Sequence, residues 1–284
     1  MVPILLLFAA PVLAQSPESI RPAGSMRLLS VVHHPRALSR AHDVDLQGNL
    51  AFVAGKGGSV AVIDVADPAR PKLLSYLSDP SVLDDGEAVM PVGTTLFVGA
   101  RDFLSVDVTN PREPHILERV RDRRRFDKIN DMVRVGRFVL TANKSGSVAV
   151  FDTADPGSPR LCDVLDTRMH GGLGAPHGPA VSGAHLVVVN TGREEPVHIR
   201  LYRAWDPAGN LLPASEWKQE GYAPSPDDLR RDWVLQGANR IASWGRFAAV
   251  GAFVPDRVGL FELPGDGRLT RSGTCPFATS TPRE

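Results

Sequence analysis

Three features of the sequence predict an all-β fold, a β-propeller of five four-stranded blades. A run of β-branched and apolar residues followed by a Pro-containing turn occurs three times, a turn glycine recurs five times, and helical periodicity is missing throughout. Units of about 40–50 residues with four short strands each are typical of propeller blades. The 284 residues suit one large all-β domain.

The repeated run defines one strand and the turn after it. The three copies are SVAVIDVADPARPKLLSYL (59–77), FLSVDVTNPREPHILERV (103–120) and SVAVFDTADPGSPRLCDVL (147–165). In each copy the apolar run ends in an aspartate, namely Asp64, Asp107 or Asp152. Because proline fixes φ and cannot donate to a β-ladder, the prolines that follow end one strand and begin another at the edge of a sheet.

A glycine between two further strands extends the count to five units. These turn glycines are Gly48, Gly93, Gly136, Gly183 and Gly245, which lie 45, 43, 47 and 62 residues apart. The third strands of the last two units are then 197–203 and 258–264. The longest spacing predicts an insertion of roughly 15–20 residues between blades four and five.

The repeated strand resembles a known family. The runs VAVID (60–64), SVDV (105–108) and VAVFD (148–152), each with its Pro-containing turn, are similar to the LVIVD repeats of secreted bacterial and archaeal β-propeller proteins. The resemblance extends over residues 41–165 and weakens over 177–273, where Arg203 and Glu262 replace the aspartate. It implies a propeller fold and export, and it brings no catalytic residues.

The ends of the chain lie outside the repeats. Residues 1–14 are apolar and uncharged, too short to span a bilayer, and end in Val12-Leu13-Ala14, so we expect a cleavable signal peptide and a periplasmic or extracellular protein. Residues 15–40 form an N-terminal segment, 41–275 the propeller and 276–284 a tail. Either residues 28–32 or residues 268–274 supply the strand that closes the ring.

Charge and cysteine content limit the function classes. The formal net charge is zero, so no overall field attracts nucleic acid or an anionic membrane, and we expect a monomer without a membrane span. Cys162 and Cys275 fall on the outer strands of blades that are not neighbours, too far apart for a disulfide. We expect two free thiols.

The position six residues before each turn glycine is polar in every blade. The five residues are His42, Glu87, Asn130, His177 and Asn239. They begin the inner strands, so they lie near one mouth of the central channel. One interpretation is structural, since such side chains cap backbone groups and join adjacent blades. The others are a ligand site or, with His42, Glu87 and His177 as ligands, a metal site.

A ring of cations is predicted at the same mouth. The loops between second and third strands carry one cation per blade: Lys56, Arg101, Lys144, Arg193 and Arg257. The basic stretch 121–125 lies in a blade-to-blade loop at that end. Such a ring favours an anionic ligand such as a carboxylate, a phosphate or an acidic sugar. Alternatively, these are the solvated turns of an Arg-rich protein.

The insertion is rich in aromatic residues. Trp205, Trp217 and Trp233 lie in it or at its edges, with Tyr222 and Pro224-Ser225-Pro226 between them. Aromatic residues in a long loop form either a small core of their own or a lid or sugar-stacking platform.

Taken together, these features favour a non-catalytic exported propeller that binds a protein, or an anionic small molecule or glycan, at its channel mouth. The candidate ligand-binding residues are His42, Glu87, Asn130, His177, Asn239, Lys56, Arg101 and Lys144. No catalytic residues, cofactor or resident metal are predicted, because no nucleophile elbow or local metal-ligand spacing is present. The alternative is an enzyme acting on an anionic or carbohydrate substrate at the mouth, with or without metal assistance.

Overall fold

The computed structural model describes residues 27–166, 174–191, 199–223, 237–252, 257–263 and 270–276. Within these ranges twenty strands form five four-stranded antiparallel sheets, and in each sheet the strands follow one another in chain order. The sheets are the five predicted blades. Among the described residues no helix is both long and apolar enough to cross a membrane.

The strands are numbered in chain order, four to a blade, the first being innermost. Blade one comprises β1 (Ala41–Gln47), β2 (Leu50–Gly55), β3 (Ser59–Asp64) and β4 (Lys72–Ser78). Blade two comprises β5 (Ala88–Val92), β6 (Thr95–Gly99), β7 (Phe103–Asp107) and β8 (His115–Val120). Blade three comprises β9 (Ile129–Val135), β10 (Phe138–Asn143), β11 (Ser147–Asp152) and β12 (Arg160–Asp166). Blade four comprises β13 (Pro176–Ser182), β14 (His185–Asn190), β15 (Ile199–Arg203) and β16 (Lys218–Ala223). Blade five comprises β17 (Ala238–Trp244), β18 (Phe247–Ala252), β19 (Arg257–Glu262) and β20 (Thr270–Pro276). A single helical turn, α1 (Pro80–Leu83), lies between blades one and two.

The five turn glycines join the first and second strand of every blade. Their φ angles lie between +55° and +62°, a conformation that costs an L side chain free energy and that glycine adopts freely. Their recurrence therefore follows from the geometry of the inner hairpin.

The repeated aspartate has a local structural role. The Oδ1 atoms of Asp64, Asp107 and Asp152 accept hydrogen bonds from the backbone N–H two residues later, at 2.9, 2.6 and 2.9 Å. This contact is an Asx turn, which starts the link from the third strand to the fourth. The repeated aspartate therefore has a structural role in the turn, and its recurrence does not indicate a binding or catalytic site.

Four apolar cores join successive blades. Phe52 and Val98 meet between blades one and two, and Phe103 and Phe151 stack 4.1 Å apart between blades two and three. Similar clusters join blade three to blade four and blade four to blade five. Blades two, three and four therefore each pack one face on the blade before and the other on the blade after.

Blades five and one are joined differently. The fifth core contains Ala51, Val53, Ala61 and Ile63 of blade one, and it is covered by residues 32–38 of the N-terminal segment. Among the described residues, no hydrophobic cluster contains side chains of both blade five and blade one. We call the region between these two blades the seam.

The outer strand of blade five comes from the C-terminal side. β20 pairs with β19, whereas residues 27–34 form no strand. Of the two candidate strands for closing the ring, the C-terminal one therefore completes the last sheet, and the segment from Leu28 to Val32 does not. Leu28 and Val31 are 79% and 76% exposed.

The insertion before blade five is divided. Residues 204–217 lie inside blade four, between β15 and β16, and only the remainder lies between blades four and five. Trp205 and Trp217 are buried, and the indole Nε1 of Trp217 donates to the carbonyl oxygen of Leu212 at 2.8 Å. Both indoles belong to the hydrophobic cluster that joins blades three and four, so this part of the insertion packs on that core and does not form a separate one. Trp233 and Pro224-Ser225-Pro226 lie outside the described residues, as does the side chain of Tyr222.

The cysteines lie on outer strands of non-adjacent blades, as predicted. Cys162 belongs to β12 of blade three and is a free, exposed thiol, and Cys275 belongs to β20 of blade five. The side chain of Cys275 lies outside the described residues.

Candidate functional site

A β-bulge places the polar residue at the start of the inner strand in four of the five blades. The ladders between first and second strands skip one residue each, at His42, Asn130, His177 and Asn239. In blade two, Glu87 directly precedes β5, and its N–H donates to the carbonyl oxygen of Gly99 at 2.9 Å. Bulges re-aim side chains. They place these residues at the end of the channel where the inner strands begin, which we call the mouth.

His42, Lys56 and Glu87 form one cluster. The Glu87 carboxylate is buried, and the Nζ of Lys56 lies 2.8 Å from its Oε1. The imidazole of His42 lies against the same residue, with its Nε2 3.6 Å from Oε2 and its Nδ1 3.1 Å from the Glu87 carbonyl oxygen. The cluster joins blade one to blade two, and Lys56 neutralises a buried carboxylate.

Asn130, His177 and Asn239 join the next blades. The Nδ2 of Asn130 donates to the carbonyl oxygen of Pro176 in blade four at 2.8 Å. The Nδ2 of Asn239 lies 3.1 Å from the Nε2 of His177, which links blade five to blade four. These contacts match the structural interpretation of the polar ring. The Oδ1 of Asn130 is buried and has no hydrogen-bond partner among the described residues.

Arg240 connects blades that are not neighbours. From blade five, its Nη1 lies 2.9 Å from the Oδ2 of Asp131 and 3.5 Å from the carbonyl oxygen of Asn130, both in blade three. Its Nη2 lies 3.5 Å from the Nδ1 of His42 in blade one. The guanidinium therefore lies across the mouth, between residues of blade three and blade one.

The role of Arg240 was not predicted from the sequence, although the charges at one repeat position indicate it. Five residues before the turn glycine, the blades carry Asp43, Ala88, Asp131, Gly178 and Arg240. Two acids and one base at equivalent positions around a ring predict an ion pair across it.

Asp43 and Asp131 follow the polar ring by one residue, and strand alternation predicts that their side chains point between blades. Asp43 does so, since its Oδ2 accepts the N–H of Val89 in blade two at 2.9 Å. For Asp131 the expectation is wrong, because its carboxylate pairs with Arg240 across the channel. The residue of blade four that corresponds to Val89 is Pro179, which has no N–H to donate.

Burial changes the ionisation of two groups at the mouth. Desolvation raises the pKa of Asp131 to about 6, although the charge of Arg240 acts in the opposite direction. Burial lowers the pKa of His177 to about 4, and the charges of Arg240, His42 and Lys144 lower it further.

The predicted ring of cations is partly neutralised. Lys56 pairs with Glu87, and the Nε of Arg101 lies 3.6 Å from the Oδ1 of Asp127. In the basic stretch, Arg123 contacts the carboxylates of Asp102 and Asp127. Lys144 is exposed, and no carboxylate among the described residues forms an ion pair with it. Arg193 and the side chain of Arg257 lie outside the described residues.

The structure does not support a metal held by His42, Glu87 and His177. In the part of the chain that is described, no three His, Cys, Asp or Glu side chains are close enough to hold a metal ion. His42 and Glu87 contact each other, whereas His177 contacts Asn239.

The sequence matches one repeat family. Residues 39–79 match the LVIVD repeat, and they cover blade one from its first strand to its last. No curated protein matches the sequence.

Solved structures of similar fold are propeller-like and distant in sequence. The chain is similar to the crystal structures of two putative 6-phosphogluconolactonases. The protein from Bacteroides uniformis ATCC 8492 has a TM-score of 0.62 and 14% identity, over 82% of this chain and 70% of that one. For the protein from Bacteroides fragilis NCTC 9343 the values are 0.61 and 14%, over 82% and 69%.

A chain of the mitotic checkpoint complex is also similar in fold, with a TM-score of 0.60 and 11% identity. The match spans 83% of this chain and 64% of that one. At such identities the likeness shows the propeller fold alone.

Proposed function

We propose that this chain is an exported binding propeller whose channel mouth takes an anionic ligand. The observation that carries the proposal is the position of Arg240, whose guanidinium reaches Asn130 and Asp131 across the channel and His42 across the seam. Its side chain is still 37% exposed. A guanidinium has five N–H donors in a planar fork, so Arg240 retains donors for a carboxylate or phosphate.

The surrounding charges favour an anion. Glu87 is neutralised by Lys56, and the Asp43 carboxylate is occupied by the Val89 N–H. Lys144 adds an exposed positive charge close enough to affect His177. An arriving anion therefore meets Arg240 and Lys144, with Asp131 as the opposing carboxylate.

Calorimetric titration tests this proposal. The probes are citrate, glucuronate and glucose 6-phosphate, with uncharged glucose as the comparison. We expect binding of at least one anion, none of glucose, and at least a tenfold loss of affinity in Arg240→Gln. The control is Arg70→Gln, which removes an exposed arginine from a turn of blade one. Anion binding that is unchanged in Arg240→Gln would overturn the proposal.

A second candidate is an enzyme acting on an anionic carbohydrate. The His42 ring is partly exposed and lies against the Glu87 carboxylate, so the mouth contains a titratable imidazole that a substrate can reach. Two of the similar structures are titled putative 6-phosphogluconolactonases. A direct assay of 6-phosphogluconolactone hydrolysis separates the candidates. Turnover above the spontaneous rate that is lost in His42→Asn supports the enzyme, and turnover equal to the spontaneous rate excludes this substrate.

Export is proposed from the apolar residues 1–14, which lie outside the described residues. Expression of the full chain in a Gram-negative bacterium, followed by fractionation and N-terminal sequencing, tests it. A mature chain that begins at Gln15 in the periplasm or medium is expected. A cytoplasmic chain that retains residues 1–14 would contradict export.

A further inference from the structure

The connection from blade two to blade three is strongly basic. Residues 119–128 hold six basic side chains and two acidic ones. The connection from blade one to blade two, residues 79–87, holds four acidic side chains and no basic one. Each connection runs from the outer strand of one blade to the inner strand of the next, so both lie at the mouth end of the propeller. The formal net charge of zero therefore conceals opposite charges on neighbouring connections.

Three arginines of the basic connection face solvent. Arg121, Arg124 and Arg125 are exposed, and among the described residues no carboxylate forms an ion pair with any of them. The connection leaves β8 at the outer rim and enters β9 at the channel, so these arginines follow a line from the rim toward the mouth. We call the three side chains the basic track. Each guanidinium keeps its fork of N–H donors available for a carboxylate.

The backbone that carries the basic track is anchored to the propeller. Phe126 is buried, and its ring packs edge-on against Phe151 with 5.3 Å between the centroids. The Oδ1 of Asp122 accepts the N–H groups of Arg124 and Arg125 at 3.2 and 3.3 Å. Because the arginines are held on an ordered backbone, a partner pays little entropy to order the loop on binding.

The carboxylates beneath the track are occupied by other cations. Asp102 is fully buried, with the Nε of Arg119 2.6 Å from its Oδ2 and the Nη2 of Arg123 3.0 Å from its Oδ1. Asp127 contacts Arg123 and lies 3.6 Å from the Nε of Arg101. These two acids therefore do not compete with a partner for the exposed arginines.

The surroundings of the track favour a narrow partner. Asp85 of the acidic connection lies 3.8 Å from the Nζ of Lys128, so the acidic connection lies beside the basic one. Asp84 of the acidic connection is exposed. A planar anionic surface such as a membrane would meet these carboxylates when it touched the track. An extended chain can follow the track without approaching them.

The absence of exposed aromatic side chains near the track narrows the kind of chain. Among the described residues Trp244 is the only exposed Trp, Tyr or Phe, and it lies at the other end of its inner strand. Sugar rings and unpaired bases stack on exposed aromatic side chains. Carboxylates require only the arginine fork. The surface therefore suits a peptide rich in Asp and Glu more than a glycan or a single-stranded nucleic acid.

We propose that the basic track docks an acidic segment of a protein partner, with Asp and Glu carboxylates of that segment on Arg121, Arg124 and Arg125. Arginine clusters are a common means of recognising acidic motifs. The track does not include Arg240, so the inference is independent of the anion site at the mouth. Since the contacts are exposed to solvent, the affinity depends strongly on ionic strength.

Fluorescence anisotropy of the full chain with a labelled peptide of alternating Glu and Gly, about a dozen residues long, tests the inference. We expect saturable binding at about 20 mM salt that weakens at least tenfold at about 200 mM. Arg124→Gln/Arg125→Gln should weaken binding about tenfold. The matched control is Arg112→Gln/Arg134→Gln, which removes two exposed arginines from the opposite end of the propeller and leaves the same net charge. The control should bind as the wild type does.

The other outcomes overturn the inference. Equal losses in the two double variants would show an effect of net charge alone. Tighter binding of an oligogalacturonate, a single-stranded oligonucleotide or phosphatidylglycerol vesicles, lost in Arg124→Gln/Arg125→Gln, would assign the track to a different partner. A dimer in sedimentation at low salt that is lost in the same variant would assign it to the acidic connection of a second copy. No peptide binding, with citrate binding retained, would overturn this inference and leave the mouth site in place.

Discussion

The Nη1 of Arg240 in blade five lies 2.9 Å from the Oδ2 of Asp131 in blade three. Because blade four separates these blades in the ring, the ion pair crosses the channel. Arg240 also approaches His42 across the seam, at 3.5 Å from Nη2 to Nδ1, where no hydrophobic cluster of the described residues joins blades five and one.

Asp131 and His177 oppose each other in the pH dependence of stability. The raised pKa of Asp131, about 6, means that the folded state holds a proton more tightly than the unfolded chain, so this group lowers stability as pH rises from about 4 to 6. The lowered pKa of His177, about 4, has the opposite effect, and its contribution rises as pH increases from about 4 to 6.5.

The contributions of Asp131 and His177 to the slope of stability against pH should therefore nearly cancel in the wild type. A variant that lacks one of the two groups should reveal the slope of the other. We expect urea unfolding of the wild type to depend weakly on pH between 4 and 6.5. Asp131→Asn should gain stability with rising pH over this window, and His177→Gln should lose it, each by about 2 kcal/mol. Slopes of the same sign in both variants would contradict the assignment.

Lys56 neutralises the buried Glu87 carboxylate. Lys56→Met leaves that charge without its ammonium partner, so we expect a loss of about 1–3 kcal/mol in the free energy of unfolding. The double variant Lys56→Met/Glu87→Gln should recover part of the loss, because no isolated charge remains. Lys144→Met, which removes an exposed lysine, should change stability by less than about 0.5 kcal/mol. If the double variant is less stable than Lys56→Met, the pair does not act as described.

Val44 and Val89 occupy equivalent positions with different surroundings. Val89→Ser places a hydroxyl in the core between blades one and two, and should cost about 2–3 kcal/mol. Val44→Ser, at the exposed seam, should cost less than about 0.5 kcal/mol. Equal costs in chemical denaturation would show that blade five packs against β1 in solution.

Alanine substitution of three glycines distinguishes the stability cost of backbone strain from that of steric crowding. Gly183→Ala, at φ +56° with open space around it, should cost about 1 kcal/mol. Gly99→Ala should cost more, since its Cβ would lie 2.5 Å from the Cγ2 of Ile129. Gly251→Ala, with neither a positive φ nor a near neighbour, should be neutral or slightly stabilising. A neutral Gly183→Ala would contradict the turn geometry.

The sequence predicts the fold well because the repeat reports on local geometry. The turn glycines and the Asx-turn aspartates occupy positions that the inner hairpin and the third strand require, so their spacing counts the blades. The division of the insertion cannot be predicted from the spacing of the turn glycines. Extra residues between β15 and β16 lengthen the interval from Gly183 to Gly245 as much as extra residues between blades four and five do.

The site was predicted less completely. The polar ring is correctly placed at the start of the inner strands. Alternation nevertheless misassigned Asp131, because it takes no account of the next blade, where Pro179 lacks the N–H that Val89 donates to Asp43.

The role of Arg240 was not predicted because it contacts Asn130, which lies more than a hundred positions away in the sequence. The seam could not be predicted from the sequence either. Val44 and Val89 both lie four residues before a turn glycine, and they differ only in whether another blade packs against them.

The most direct test of the account is the NMR signal of the Arg240 guanidinium during titration with an anion. The Nε–Hε resonance is assigned by its loss in Arg240→Lys and followed as citrate is added. A saturable shift of this resonance, with the signal of Arg70 unchanged, is the expected result. Anion-dependent shifts confined to other arginines, with Arg240 unaffected at saturation, would contradict an anion site at the channel mouth.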